Sequence, residues 1–268
     1  MGQKEYASKV RQLRLNSKMI VFVALVLIFA LAVIARCGSG DADGEGETPA
    51  GSGEVAENGI DPAGDDSVKK EPVVFDPQDP YKTFEGALFI GDSRTEGLKI
   101  YAGIENAQFF CAKSMTIDKV VDGATVNVDG TNCSVYDILS ANQYTKVYIC
   151  LGINELGWVS IEKFLEEYKT LIGKIKETQP KAHIYIELLF PVTTARSDSD
   201  KVNNNSQIYW YNTNLIKLAE ETGVKYLNPD KPLIDEKGGL KEEATSDGIH
   251  VKREYCIKWA EYLAEITY

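Results

Sequence analysis

The sequence predicts an α/β fold in which a parallel sheet is covered by helices on both faces. Two observations lead to this prediction. Short apolar runs alternate along the chain with longer segments whose apolar residues recur at helical spacing. One of these runs, Lys146–Leu151 (KVYICL), is nearly continuous in its apolar character, as is typical of a strand buried on both faces. A chain that alternates between strand and helix builds crossover units, and crossover units form parallel sheets.

The predicted strands are short apolar runs, and three of them are followed directly by Gly or Asn, residues that favour turns. In chain order they are Ala87–Ile90, Gln108–Ala112, Lys146–Leu151, His183–Leu189 and Val224–Leu227. Between the second and third, two further short segments flank the turn pair Asp129-Gly130. They predict a small hairpin formed by Thr125–Val128 and Cys133–Val135.

Three helices are predicted from capping residues and apolar spacing. Ser160 is a suitable N-cap for a helix that runs to about Thr178. Asn205–Glu221 is a helix closed by Gly223, and Lys252–Ile266 is the last helix. The connection before that last helix, residues 228 to 246, is long and contains two prolines, so it is predicted to be a loop that carries the chain to the functional site.

The N-terminal part of the chain predicts a membrane anchor. Residues 1–18 carry five Lys or Arg against one acid, and Met19–Ala35 has no charged or polar residue. At about 1.5 Å per residue this run spans roughly 25 Å, close to the about 30 Å of a hydrocarbon core. We therefore expect 19–36 to be a transmembrane signal-anchor, with Arg36 reaching the outer interface. The basic flank predicts a cytoplasmic N-terminus and an extracellular location for the rest.

Two other interpretations of this segment remain open. Ala30-Leu31-Ala32 resembles a small-residue cleavage site, so the run is also compatible with a cleaved signal peptide and a secreted protein. A lipoprotein signal ending at Cys37 is less compatible, because Arg36 stands where a small residue is expected. Residues 37–72 are rich in Gly and acids and lack aromatic residues, which predicts a disordered linker. The globular domain is expected to cover residues 73–268.

Composition excludes some functions. The chain has 268 residues, 44% of them hydrophobic, and a formal net charge of -11. Such a charge disfavours nucleic acid as a partner, because a phosphate backbone would be repelled. The five cysteines form no CxxC pair and no cluster with histidine, so we expect neither a metal nor another cofactor. Their disulfide state stays open, and a monomer is expected.

The residues that could carry chemistry follow the predicted strands. Ser93 follows the first strand and Asn154 follows the third, so both are expected at the carboxyl edge of the sheet, where ligands bind in open α/β folds. A serine needs a base to become nucleophilic, and His250 is the candidate. Asp247, three residues earlier, can orient its imidazole, and the Asn154 amide can donate to an oxyanion. His183, the second histidine, opens a strand at the opposite edge and is interpreted as structural.

From about residue 84 to the C-terminus the chain resembles the SGNH (GDSL-type) hydrolases. The similarity rests on three motifs, Gly91-Asp92-Ser93, Gly152-Ile153-Asn154 and Asp247-Gly248-Ile249-His250. The resemblance implies a flavodoxin-like three-layer α/β/α sandwich around a five-stranded parallel sheet. It also implies a Ser93–His250–Asp247 triad, with an oxyanion hole formed by Ser93, Ser114 and Asn154.

The chain departs from the family pattern at two positions. In Lys113-Ser114-Met115-Thr116, Ser114 stands where the family has a glycine, and Glu155 stands where an aspartate often follows the asparagine. Arg94, Glu155 and Trp158 are candidates for lining the substrate site. Thr95 breaks the Gly-x-Ser-x-Gly pattern, so the α/β-hydrolase elbow is not matched.

The family hydrolyses esters, and the predicted anchor places the domain near envelope polymers. We therefore expect an esterase that removes O-acyl groups, in particular O-acetyl groups, from carbohydrate. Tyr209-Trp210-Tyr211 and Trp158 could stack on a sugar, although aromatic residues at helical spacing are more often core. The alternatives are an O-acyltransferase that uses the same site and a surface binding module without activity. A lipase would need an apolar lid, and the sequence shows none.

Overall fold

Five parallel strands and one hairpin form the β-structure of the protein. The computed structural model describes residues 78–158 and 160–267. The strands are β1 Ala87–Gly91, β2 Ala107–Cys111, β3 Thr125–Val128, β4 Thr131–Ser134, β5 Lys146–Cys150, β6 His183–Glu187 and β7 Lys225–Leu227. The main sheet has the order β2-β1-β5-β6-β7 and every pair in it is parallel. The predicted α/β fold with a five-stranded parallel sheet is thus confirmed.

Seven helices are seen in the described residues. They are α1 Ser93–Tyr101, α2 Ile117–Val121, α3 Val135–Ala141, α4 Ile161–Thr178, α5 Thr194–Ser199, α6 Asn205–Thr222 and α7 Arg253–Ile266. Two 3-10 turns, Pro80–Phe84 and Glu242–Ala244, precede β1 and the last loop. Helix α1 packs beside α7, whereas α4 packs against α6 and α2. These two groups cover the sheet as the outer layers of a sandwich.

The central strands are apolar throughout because both of their faces are covered. Every residue of β1 and β5 is buried. On one face an aromatic ladder crosses the sheet: Phe89 stacks between Phe109 and Tyr148, with ring centroids 4.8 and 4.5 Å away. Tyr148 in turn stacks on Tyr185 at 5.2 Å. These rings lie opposite each other in the register of neighbouring strands, so they hold β2, β1, β5 and β6 together.

The three long helices match their predicted bounds, but the short helices were not expected. Ser160 caps α4 by accepting from the Lys163 N–H, and Gly223 ends α6 in the left-handed conformation at φ 65°. The second strand of the hairpin was predicted to include Val135, and this was wrong. Ser134 and Asp137 form a capping box there, so Val135 is instead the first residue of α3.

The strand order creates the crevice in which the site lies. After β1 the chain goes to one side of it, to β2, and later crosses to the other side, to β5. Connections that leave neighbouring strands in opposite directions open a crevice at their carboxyl ends. Ser93 directly follows β1 and Asn154 follows β5 by a short loop. The topology therefore brings these two residues to the same edge of the sheet, as the sequence predicted.

The predicted cytoplasmic segment 1–18, the anchor 19–36 and the linker 37–72 lie outside the described residues. Within residues 78–158 and 160–267, no helix combines the length and the apolar character needed to cross a membrane. The four cysteines in this range, Cys111, Cys133, Cys150 and Cys256, are free thiols.

Candidate active site

Ser93 lies on a tight turn between β1 and α1. Asp92 is the N-cap of α1, and its Oδ1 accepts from the Arg94 N–H at 2.8 Å. Gly91 allows the helix to begin this close to the strand. A Cβ there would lie 1.9 Å from Thr95 Oγ1 and 3.0 Å from the Cys150 carbonyl oxygen. The turn presents Ser93 half-exposed at the first position of α1, where backbone N–H groups are unpaired by the helix.

A continuous chain of hydrogen bonds joins Ser93 to His250 and Asp247. Ser93 Oγ is 2.9 Å from His250 Nε2, and His250 Nδ1 is 2.6 Å from Asp247 Oδ2. The distances fit a nucleophile, a base and an orienting carboxylate. The structure thus brings together the three residues that the sequence indicated, across a separation of 157 positions between Ser93 and His250.

Asp247 is fixed by the backbone of its own turn. Its Oδ1 accepts from the N–H groups of Ile249 at 2.9 Å and His250 at 2.8 Å. Partial burial raises the pKa of Asp247, but these two bonds and the bond to the His250 ring outweigh it and hold the pKa well below its ordinary value. The carboxylate is therefore ionised at neutral pH and can stabilise an imidazolium that forms beside it.

Thr245 supports the same turn, a role that was not predicted from the sequence. Its Oγ1 accepts from the N–H groups of Asp247 at 3.3 Å and Gly248 at 3.0 Å, and it lies 3.2 Å from Asp247 Oδ1. The Thr193 N–H also donates to the Gly248 carbonyl at 3.0 Å. A Thr two residues before an Asp is a common turn pattern, which is the only signal in the sequence that could have indicated this role.

The loop after β2 carries the third predicted oxyanion residue. Ser114 adopts the left-handed conformation at φ 55°. Glycine adopts this conformation with the least strain, which explains why the resembling family has a glycine at this position. Lys119 Nζ donates to the Ser114 carbonyl at 2.7 Å, and Asn154 Nδ2 donates to the Met115 carbonyl at 2.8 Å. The loop is thus tied to Asn154, whose amide has a second N–H for another acceptor.

Two residues expected to line the substrate site lie in the interior instead. Arg94 is only 2% exposed, donates from Nη1 to the Phe190 carbonyl and lies over the Phe190 ring at 3.9 Å. Glu155 is fully buried and accepts from the Ile117 N–H at 2.7 Å. The prediction that Arg94 and Glu155 line the substrate site is therefore wrong. Arg94 directly follows Ser93 and Glu155 directly follows Asn154, and at each of these positions the backbone directs the side chain into the interior. Trp158 is half-buried beneath Lys163, whose Nζ is 5.5 Å from the ring centroid.

Buried ionisable groups lie beneath the nucleophile. Burial raises the pKa of Asp92 to about 6, against the opposing effects of the Arg94 N–H and guanidinium. Burial lowers the pKa of Arg94 to about 10. Burial also raises the pKa of Glu187, at the end of β6, to about 8. His183 begins β6 at the other end of the same strand, remote from this cluster, as the sequence indicated.

Comparison with known protein families gives a match over most of the described residues. The sequence model of the GDSL-like Lipase/Acylhydrolase family matches residues 89–254, which is more than half of the chain. A search of curated proteins gives no match.

Three solved structures, all with provisional names, are similar in fold. A platelet activating factor from Streptococcus pneumonia is 19% identical with a TM-score of 0.55, covering 71% of this chain and 92% of its own. A GDSL-like lipase from Parabacteroides merdae is 14% identical with a TM-score of 0.51, covering 68% and 95%. An acylhydrolase from Bacteroides fragilis is 12% identical with a TM-score of 0.50, covering 69% and 90%. At these identities the likeness concerns the fold alone.

Proposed function

Because this chain belongs to the GDSL-like lipase/acylhydrolase family, we propose that it hydrolyses carboxylic esters through Ser93, His250 and Asp247. The observation that carries the proposal is the hydrogen-bond chain from Ser93 Oγ to His250 Nε2 and from His250 Nδ1 to Asp247. It joins Ser93 to an Asp–His pair that lies 157 positions further along the chain, in the order of roles that an acyl-transfer site needs.

The reaction proceeds in two halves. His250 Nε2 takes the proton of Ser93 Oγ as the oxygen attacks the ester carbonyl, and the imidazolium then gives that proton to the leaving alcohol. This leaves the acyl group on Ser93. In the second half His250 takes a proton from water, the hydroxide attacks the acyl carbonyl, and the proton returns to Ser93 as the acid departs. Asp247 stays ionised throughout and stabilises the imidazolium.

The oxyanion formed in each half is stabilised by three donors. We assign the Ser93 N–H at the start of α1, the Ser114 N–H and the Asn154 side-chain amide to this role. The conformation of Ser114 and the bond from Asn154 to the Met115 carbonyl support the assignment, because this bond joins the loops that carry the Ser114 and Asn154 donors. Loss of one such donor costs about 100- to 1,000-fold in kcat.

We propose an O-acyl group, in particular O-acetyl, on a carbohydrate of the cell envelope as the substrate. The side chains of His250 and Asp247 are 48% and 52% exposed, so the triad opens to solvent and can meet a bulky polymer. Trp210 on α6 is 46% exposed, and a flat aromatic ring of this kind can stack on a sugar, whereas Tyr211 beside it is core.

An open triad also favours hydrolysis over transfer. An acyltransferase has to keep water away from the acyl-enzyme until the acceptor binds, and a half-exposed histidine gives water direct access. The O-acyltransferase therefore remains the alternative of second rank, and it would be recognised by transfer of the acyl group to an added sugar in preference to water.

The proposed function is tested with the full-length protein. It should release acetate from acetylated wall polysaccharides and cleave a short-chain aryl ester, and Ser93→Ala should abolish both activities. Ser206→Ala, an exposed serine on α6, is the matched control and should behave as the native protein does. Aryl ester cleavage that persists in Ser93→Ala would refute the nucleophile. Cleavage of the aryl ester without acetate release from any polymer would refute the substrate class alone.

The proposed location is the outer face of a membrane, with the N-terminus in the cytoplasm. It is supported by the basic residues 1–18 and the apolar run that follows. A protease added to intact cells should cut the acidic linker and release the esterase activity into the medium. Activity that stays with the cells after complete cleavage of other exposed proteins would contradict this orientation.

A further inference from the structure

A buried carboxyl group connects the two loops that carry the Ser114 and Asn154 donors of the proposed oxyanion hole. Glu155 is fully buried, directly after Asn154 in the loop that follows β5. Its Oε1 accepts from the Ile117 N–H at 2.7 Å, and Ile117 is the first residue of α2, just after the Ser114 loop. One side chain therefore connects the loop after β5 to the loop after β2.

The bond that Glu155 accepts from the Ile117 N–H replaces a helix cap that α2 lacks. Thr116 is the N-cap of α2 by position, but its side chain makes no capping hydrogen bond to this helix. An N-terminal N–H without a partner is costly when buried, and Ile117 is buried. Glu155 supplies the missing acceptor from another element, so the start of α2 is fixed by the same loop that carries Asn154.

The backbone of Glu155 is held from the other side. Its carbonyl accepts from the Trp158 N–H at 2.9 Å and from the hydroxyl of Tyr211 on α6. The Asn154 amide meanwhile donates to the Met115 carbonyl at 2.8 Å. Two hydrogen bonds thus join the loop after β5 to the loop after β2: Asn154 donates to Met115, and Glu155 accepts from Ile117. The loop after β5 is also bound to α6 through Tyr211. Among the described residues, no group bonds to the second carboxyl oxygen, Oε2.

We propose that Glu155 is a positioning residue that sets the spacing between the Ser114 and Asn154 oxyanion donors. It does not touch the reacting atoms. It acts by holding the start of α2, and therefore the strained Ser114 turn, at a fixed place beside Asn154. This inference extends the proposed function, because it assigns a role in the same site to a residue that the substrate does not reach.

Three substitutions test whether the acceptor oxygen is what matters. Glu155→Ala removes the acceptor and should lower kcat for an aryl ester by about 10- to 100-fold with little change in KM, since misplaced donors weaken the transition state more than the ground state. Glu155→Gln keeps an acceptor oxygen at the same reach and should restore most of the activity. Glu166→Ala, an exposed glutamate on α4, is the matched control and should leave kcat unchanged.

The donor can be removed as well as the acceptor. Ile117 is the first position of α2, where proline is accommodated, and Thr116 at φ -128° and ψ 159° suits a residue before proline. Ile117→Pro should lower kcat beyond the packing loss measured with Ile117→Ala. In the Glu155→Ala background this additional loss should disappear, because the bond is already absent.

Several outcomes would overturn the proposal. A folded Glu155→Ala protein with native kcat would do so, as would a Glu155→Gln protein that loses as much kcat as Glu155→Ala. Additive losses in the Ile117 and Glu155 series would show that the two positions act separately. Amide hydrogen exchange gives a readout that does not depend on esterase activity. Exchange in residues 114–121 should be faster in Glu155→Ala, and unchanged exchange would overturn the proposal even if the native protein cleaves no ester.

Discussion

Ser114 is the residue whose backbone angle matters most to the proposed oxyanion hole. Its left-handed φ of 55° aims a backbone N–H, which every residue except proline carries, so the hydroxyl is not needed for donation. Ser114→Ala and Ser114→Gly should therefore keep kcat for an aryl ester near the native value. Ser114→Val should lower it, because a β-branched side chain strongly disfavours positive φ.

Asn154 provides the comparison, since it donates from its side chain. Asn154→Ala should lower kcat by about 100-fold or more with little change in KM. Steady-state kinetics of the four variants separates the two kinds of donor. A large loss in both Ser114→Ala and Ser114→Gly would show that the Ser114 hydroxyl itself contacts the reacting ester.

Asp247 should act by orienting His250, and its own charge should not change on mild acidification. Hydrogen bonds hold the pKa of Asp247 well below its ordinary value, so this carboxylate stays charged as the solution is acidified. Asp247→Asn should lower kcat for an aryl ester by roughly 1,000- to 10,000-fold, because the imidazole loses its orientation. Steady-state kinetics measures the loss, and an Asp247→Asn protein with native kcat would contradict this role of Asp247.

Among the elements, helix α1 can begin directly after strand β1 only because Gly91, at the turn between them, has no side chain. A Cβ at Gly91 would lie 1.9 Å from Thr95 Oγ1, so Gly91→Ala must displace α1 and with it Ser93. Overpacking of this kind costs about 1–3 kcal/mol of stability, and here it should remove most of the activity as well. Urea denaturation and the aryl ester assay measure both effects.

Gly97 on the same helix is the matched control for Gly91. A Cβ there would meet only Cys256 Sγ, at the ordinary contact distance of 3.7 Å. Gly97→Ala should therefore be neutral or add about 0.5–1 kcal/mol of stability, because alanine favours a helix more than glycine does. Equal destabilisation by the two substitutions would show that the lack of space for a side chain between β1 and α1 does not explain the need for glycine at position 91.

The elements that the sequence predicted are those with a strong local signal. The alternation of β1, β5 and β6 with α4 and α6 was clear from apolar spacing and from the caps at Ser160 and Gly223. The short helices α2, α3 and α5 were missed, because five to seven residues carry too little periodicity.

The same limit applies to the site. Ser93, Asn154, Asp247 and His250 could be predicted, since strand ends and motifs indicate their place. The inward direction of Arg94 and Glu155 could not, because it depends on how each turn rotates the next side chain. The support from Thr245 and Tyr211 comes from parts of the chain that meet only in the folded protein.

At the scale of the whole molecule, three buried acids make stability depend on pH. Burial raises the pKa of Asp92 to about 6 and the pKa values of Glu155 and Glu187 to about 8. Ordinary values for the unfolded chain are 3.8 for Asp and 4.5 for Glu. Between these limits the folded state keeps protons that the unfolded state has released. Raising the pH therefore favours unfolding, by about 1.4 kcal/mol per pH unit for each group.

Glu187 isolates this effect because it lies beneath the site without belonging to the triad or to the oxyanion loops. The free energy of unfolding of the native protein should fall from about pH 5 to about pH 8 and then level off. Glu187→Gln has no proton to lose, so its unfolding free energy should fall less steeply over the same range, and the two curves should diverge as the pH rises.

Glu166→Gln is the control for charge. It removes one exposed charge and corrects for the general repulsion in a chain of net charge -11. Urea denaturation at pH 5, 6, 7 and 8 measures the three slopes. Identical slopes for the native protein and Glu187→Gln would mean that Glu187 is already ionised in the folded state, and this would contradict the prediction.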